Sequence, residues 1–403
     1  MKLWFIVGKS LRQHALSTVI TATSVGLAGA LLISVWTVKE QAQTAFAGAN
    51  AGYDAVLGAR GSKLQLVLNA VFHLEESPGN IDWADYEEIR RNPNVSLAVP
   101  IAMGDNYRGY RVVGTTGEFF TRAALGNGGT FRVRPPGRIF DMKSQEVVAG
   151  SYVAERLKLK RGDLIHPYHG LAFNEEKQHA EEYVVVGLLE PSNTPADRVL
   201  WIPMEGLQQM GGHDAKAATQ VSAVLVRLKA GSANSGFLLD LKYNKEQTRL
   251  TFAWPIGRIT AQLFDKIAWF DKVLTLVACI VALASVSSIL TSIYNSMNER
   301  RREIAILRAL GAHQRTVMAA IVFEAVAIAG AGVVLGFVFH FAIMAAVTSI
   351  LRAQAGVVLN PFAFSPSMVW TPLAILATSA LAGAIPAIKG YKTDVARYLG
   401  PLS

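Results

Sequence analysis

Four stretches of the chain stay apolar for twenty residues or more, and the pattern between the first two is of another kind. Residues 16–38 give 23 positions without a charge, 273–294 give 22, and 369–388 give 20. Residues 317–350 are apolar apart from Glu324 and His340. About 20 apolar residues, each rising 1.5 Å, cross a hydrocarbon core of roughly 30 Å. Each stretch is therefore expected to be a transmembrane helix. The third is longer than needed and leaves room for tilt. Lys2, Lys9 and Arg12 before the first stretch, with Ala45-Phe46-Ala47 after it, also resemble a secretory signal. A signal core is much shorter, about 7–15 residues, so the reading is an uncleaved anchor, preceded over residues 1–15 by an interfacial helix.

Between the first two spans, residues 39–266 alternate in a mixed manner. Residues 83–90 have helical spacing with Asp82 as an N-cap, and residues 151–159 follow Gly150 as a short helix. Residues 111–114, 182–189 and 221–228 look like strands, and 160–163 is a turn into Leu164 and Ile165. Residues 39–49 would continue the first span as a polar helix and 259–270 would lead back into the second, forming a stalk. The expected fold class is thus an α+β membrane protein: four transmembrane helices with a large mixed α/β extracytoplasmic domain inserted between helices 1 and 2. Segment 299–315 is a cytoplasmic loop with a helix, 351–368 a short periplasmic loop, and 389–403 a cytoplasmic tail.

Composition agrees with the membrane reading. Apolar residues make up 51% and charged residues 17% of the chain, with a mean hydropathy of +0.29. Cys279 is the single cysteine, which excludes a disulfide scaffold. The net charge of +9 is concentrated: the N-terminal stretch, the loop between spans two and three and the C-terminal tail hold eleven cations against three acids. Cations in short segments mark the cytoplasmic side. Both termini are therefore expected in the cytoplasm and residues 39–266 in the periplasm. The basic excess reads as topology, and nucleic acid is not an expected partner.

Few motifs carry chemistry. Gly8-Lys9-Ser10 ends like a phosphate-binding loop, but Leu3 stands where the first glycine is needed. No hydrolase elbow of the form Gly-x-Ser-x-Gly occurs. His166, His169 and His179, with Glu175 and Glu176, form the densest group of ligand-capable residues. Pro167 argues against a helical histidine pair, and the segment reads as an exposed loop with no metal site. Glu324 is an intramembrane carboxylate, costly in lipid, expected near the cytoplasmic leaflet as a partner of the loop arginines. His340 is expected to contact a neighbouring helix. Ala22, Gly26 and Ala30, and Gly332 and Gly336, put small residues on one helix face. These faces are expected to allow close helix packing, and two copies are expected to associate through the first two spans, with Gly26 at that interface. In the cytoplasmic loop, Ile304, Ile306, Leu307 and Leu310 fall on one arc of a helix, Glu303 lies at its start and Gly311 at its C-terminal end. A short amphipathic helix there must bury its apolar arc on the headgroup layer or on a partner.

The stretch Arg301-Arg302-Glu303-Ile304-Ala305-Ile306-Leu307-Arg308-Ala309-Leu310-Gly311-Ala312 resembles the loop between spans two and three in ABC transporter permeases of the MacB/FtsX superfamily. Residues 147–165 and 183–189 resemble that superfamily's periplasmic core domain, and Phe323-Glu324 with Gly332 and Gly336 is also similar to it. The resemblance implies a non-catalytic permease subunit in a homodimer or heterodimer, with a separate cytoplasmic ABC ATPase carrying ATP and Mg and no cofactor in this chain. The sequence departs from MacB itself in showing no fused nucleotide-binding domain, and from the lipoprotein-releasing LolC and LolE in the details of the loop motif. It implies that residues 303–312 dock on the ATPase, with Arg301, Arg302 and Arg308 at the rim. The implied function is mechanotransmission in a bacterial inner membrane: partner ATP hydrolysis moves the periplasmic domain for export or extraction of a substrate, with a periplasmic adaptor or lipoprotein as a further partner. The alternative is an FtsX-like regulator that activates a periplasmic partner without transport.

Overall fold

The computed structural model describes residues 3–125, 129–211, 215–229, 233–299 and 313–391. The chain divides into two units. One comprises Met1–Gln41, Ala268–Val347 and Asn360–Ser403; the other comprises Ala42–Ile267 and Thr348–Leu359.

The first unit is helical. Helix α1 (Leu3–Gln13) is followed by α2 (Ala15–Gly48), which has 34 residues, about 51 Å at 1.5 Å per residue. After the outer unit come α9 (Ile256–Glu299), α10 (Gln314–Ala355) and α11 (Ser367–Tyr391). Four of these helices, α2, α9, α10 and α11, are long and apolar enough to cross a membrane. Helix α1 does more than lie along an interface, because Val7 and Ser10 are buried. The loop expected over 351–368 is shorter than that, since α10 continues to Ala355 and α11 begins at Ser367.

The second unit is built on a mixed sheet. Its strands are β1 (Ala55–Ala59), β2 (Ile81–Asp82), β3 (Val95–Tyr107), β4 (Tyr110–Thr115), β5 (Glu146–Ala149) and β6 (Leu164–Ile165). These continue with β7 (Tyr168–His169), β8 (Tyr183–Leu188), β9 (Leu200–Pro203), β10 (Gln220–Val221), β11 (Ala223–Leu228) and β12 (Leu250–Ala253). Among the described residues the main sheet runs β12-β1-β11-β3-β4-β9-β5-β8-β6, with β7 also on β3, and β10 pairs β2 separately. β4–β9 and β5–β8 are parallel, and the other pairs are antiparallel.

Successive residues point to opposite faces of a strand, and here both faces are covered. Val56, Val113, Trp201 and Leu225 enter one core, while their neighbours Leu57, Val112, Leu200 and Val224 enter the other. The helices α3 (Lys63–Ala70), α4 (Trp83–Arg90), α5 (Glu118–Thr121), α6 (Ser151–Leu157), α7 (Met204–Gln208) and α8 (Ala233–Asn244) supply the covering layers. At Asp82, the N-cap of α4, the backbone N–H donates to the Asp85 carboxylate at 3.0 Å, as a capping box requires. Gly58 in β1 leaves room for α3: a Cβ there would meet Leu66 Cδ1 at 2.4 Å, so Leu66 would have to shift.

Candidate functional site

Three groups of residues are candidates for function, one in the helical unit and two in the outer unit.

In the helical unit the small-residue faces of the first and third spans meet each other. A Cβ on Gly26 would lie 3.0 Å from the Gly332 carbonyl oxygen and 3.2 Å from the Gly336 nitrogen, and one on Gly332 would lie 2.6 Å from Val25 Cγ1. Ala22 and Ala30 are buried along the same helix. Backbones approach this closely only without side chains between them. The assignment of the Gly26 face to a dimer interface is therefore corrected: it is used within one chain. The second span meets α2 through hydroxyl groups instead. Ser17 and Ser292 are 2.9 Å apart, Thr21 and Ser288 3.5 Å, and Ser285 Oγ donates to the Ser24 carbonyl at 2.9 Å. These positions ascend one helix as they descend the other.

Both intramembrane polar residues have partners. Ser10 Oγ donates to Glu324 Oε1, so α1 contributes to the carboxylate's environment. His340 is fully buried, with its Nδ1 2.9 Å from Ser34 Oγ. Arg301, Arg302, Glu303, Ile304, Ile306, Leu307, Arg308, Leu310, Gly311 and Ala312 lie outside the described residues, as does Arg300, while Arg315 is exposed in the first turn of α10.

The second candidate is a polar cavity of about 180 Å³ in the outer unit, lined by Phe72, His73, Tyr110, Arg111, Arg198 and Gln354, among others. The Arg198 guanidinium donates to the Gln354 carbonyl. Burial lowers the pKa of both arginines. His73 is depressed to about 3, by burial first and then by the two guanidiniums. Its ring stands edge-on to Trp201 at 5.4 Å. A wall with two half-buried guanidiniums and a neutral imidazole suits a carbonyl or anionic group. Arg352 belongs to the same unit and donates to Glu155 Oε2 of α6 at 2.7 Å.

The third candidate corrects the sequence reading of the histidines. The segment expected as an exposed loop buries His179, and His179 and His169 converge on Asp105 of β3, which sequence reasoning did not single out. His166 goes elsewhere, with Nε2 3.4 Å from Glu182. Glu175 and Glu176 are exposed in a short 3₁₀ turn. No local signal could have found Asp105, since 64 residues separate it from His169 in the chain.

Comparison with known proteins covers nearly the whole chain. Residues 16–236 match the model of the MacB-like periplasmic core domain, and residues 275–395 match that of the FtsX-like permease C-terminal region. The extracellular domain of the noncanonic ABC-type transporter YknZ from Gram-positive bacteria is similar at 15% identity. It covers 49% of this chain and 98% of its own, with a TM-score of 0.31. The periplasmic region of MacB from Actinobacillus actinomycetemcomitans is similar at 10% identity, covering 54% and 94%, with a TM-score of 0.33. No curated protein sequence matches. With four candidate spans, a mixed α/β domain between the first two, and family matches over both parts, the chain belongs to the MacB/FtsX family of ABC transporter permeases.

Proposed function

We propose that this chain is the permease subunit of a MacB-like transporter, in which a separate cytoplasmic ATPase drives motion of the extracytoplasmic domain. Cargo is then handled from outside the inner membrane. One observation carries the reading: three unbroken helices hold residues of both units. Helix α2 contributes Ala42–Gly48 to the outer unit, α9 its first residues from Ile256, and α10 its last from Thr348 to Ala355. A continuous helix transmits displacement along its axis, because each turn is fixed to the next by hydrogen bonds. Helices α2 and α9 are also joined by a Lys39–Asp271 ion pair at 3.3 Å and by Phe46 against Phe264 with centroids 5.5 Å apart.

The ATPase contact is assigned to the apolar arc Ile304, Ile306, Leu307 and Leu310. Fully burying one such side chain contributes roughly 1.5–3 kcal/mol, and rim arginines contribute less because water screens them. Leu307→Asp with Leu310→Asp should abolish ATPase pull-down and stimulated turnover at matched membrane abundance. Four glycines inserted after Gln41 should leave ATPase binding intact and uncouple turnover from cargo movement. If the double aspartate variant keeps full binding while loss of Arg301, Arg302 and Arg308 removes it, the helix rests on anionic headgroups and the docking reading fails. Reporter fusions at Asn174 should read periplasmic, and fusions at Gly311 and Ser403 cytoplasmic. A cytoplasmic reading at Asn174 overturns the topology.

A further inference from the structure

We propose that Asp105, His169 and His179 form a binding site for a divalent transition metal, zinc first, in the extracytoplasmic domain. The observation behind it is convergence. One donor atom from each residue lies within 4.8 Å of the other two. His179 Nε2 is 3.1 Å and His169 Nδ1 3.5 Å from the same oxygen, Asp105 Oδ1. Bonds of about 2.0–2.2 Å to a tetrahedral zinc set donor–donor edges of about 3.4 Å. Both distances are close to that edge, and the two histidine donors lie within 4.8 Å of each other, so a metal would draw the imidazoles together about the carboxylate oxygen.

The backbone makes this arrangement, so it does not depend on chance rotamers. Asp105 and His169 are directly opposed in the β3–β7 pair. The bridge Tyr168–Gln178 and the bond from the His179 N–H to the Pro167 carbonyl, 2.9 Å, fold the histidine segment back on itself. Asn106 then holds the loop: its Nδ2 lies within hydrogen-bond distance of the carbonyls of Tyr168, Gly170 and Ala172, at 3.3, 2.8 and 3.2 Å. The result is a fixed carboxylate and two imidazoles from separate backbone segments, supported by an outer layer of hydrogen bonds, as metal sites usually are.

Burial and donor chemistry agree. Asp105 is fully buried and the His179 side chain is 5% exposed, whereas that of His169 is 45% exposed. Asp105 already hydrogen-bonds with His179, and a divalent ion would add positive charge beside this buried carboxylate. Two imidazoles and a carboxylate suit zinc better than magnesium or calcium, which prefer an all-oxygen set. The exposed side of His169 leaves the fourth position to water or to a donor from a partner. The competing account is a metal-free network in which both histidines hydrogen-bond to Asp105.

The test uses the full-length chain, purified in detergent through a tag without histidine and stripped with a chelator. Titration with zinc chloride, followed by calorimetry, should show one zinc per chain. X-ray absorption at the zinc edge should show two imidazole nitrogens with oxygen donors. His169 is half-exposed, so His169→Ala should fold normally and weaken binding at least about 10-fold; the positioning variant Asn106→Ala, which frees the loop, should also weaken binding. His166→Ala should bind as the parent does. Absence of stoichiometric binding in the parent overturns the proposal. So does a His169→Ala variant with unchanged affinity, or equal losses in His166→Ala and His169→Ala.

Discussion

The two units of this permease solve the packing problem in opposite ways. The outer unit lies in water and buries large side chains on both faces of a sheet. Trp201 is completely buried with Phe119, Phe120 and His73 around it. The helical unit has a smaller apolar cluster, in which Val25, Ile289, Ile293, Met297 and Ile321 are buried. Its closest seam is made of Gly26, Gly332 and Gly336, and many of its large apolar residues face outward, as with Leu276 at 60% and Leu283 at 68% exposure. Lipid tails are as apolar as leucine, so burying leucine between helices gains nothing over leaving it in lipid. The spans are held by van der Waals packing, closest along the glycine seam and continued in the cluster of Val25, Ile293 and Ile321, and by hydroxyl pairs, whereas water drives the outer unit together.

The sharpest way to break this contrast is in the outer unit. Trp201→Ala should cost about 3–5 kcal/mol, read as a loss of folded, monodisperse protein or a large fall in the midpoint of thermal unfolding. Leu276→Ala should change stability by less than about 0.5 kcal/mol in lipid, since its side chain leaves one apolar solvent for another. Equal effects would show that the two units are not governed by different forces.

Next is pH. The folded His73 is depressed to about 3, while the unfolded chain's histidine titrates near 6.5. Between those values the unfolded state binds more protons, so stability rises with pH across that window and is lost as pH falls from about 6.5 toward 3. The whole contribution should amount to a few kcal/mol. His73→Phe should keep the contact with Trp201 and remove most of the slope, measured by denaturation of the full chain between pH 7 and pH 4.

Within the membrane, Gly332→Leu should cost about 1–3 kcal/mol through overpacking against Val25 and the Ala22 carbonyl. Gly330, two residues earlier, has open space where a Cβ would stand, so Gly330→Leu should be near neutral. Thermal scanning of both variants checks whether the seam is set by sterics and not by glycine content. The smallest effect belongs to Lys39 and Asp271, whose side chains are 39% and 30% exposed. Lys39→Ala should change stability by no more than about 1 kcal/mol, in a salt-dependent way.

Local physics made much of this legible in advance. A span needs only length and the absence of charge, and all four stretches are recorded within the sequence itself. The cap at Asp82 and the turn at Gly150 are likewise decided over a few residues. Strand β3 was harder to see. It contains Pro100 and Gly104, and a run of its residues is buried on both faces, so it shows no alternation of apolar and polar positions.

What only the tertiary structure decided is which distant residues share a place. The stripe at Ala22, Gly26 and Ala30 could have met any partner. Packing chose Gly332 and Gly336 of the same chain, because two smooth faces allow the closest backbone approach. The histidines at 169 and 179 carried no meaning until strand register set Asp105 opposite His169. Periodicity is a property of neighbouring residues and survives in the sequence. Register and helix pairing depend on the free energy of the whole fold, and the sequence alone does not record which residues they bring together.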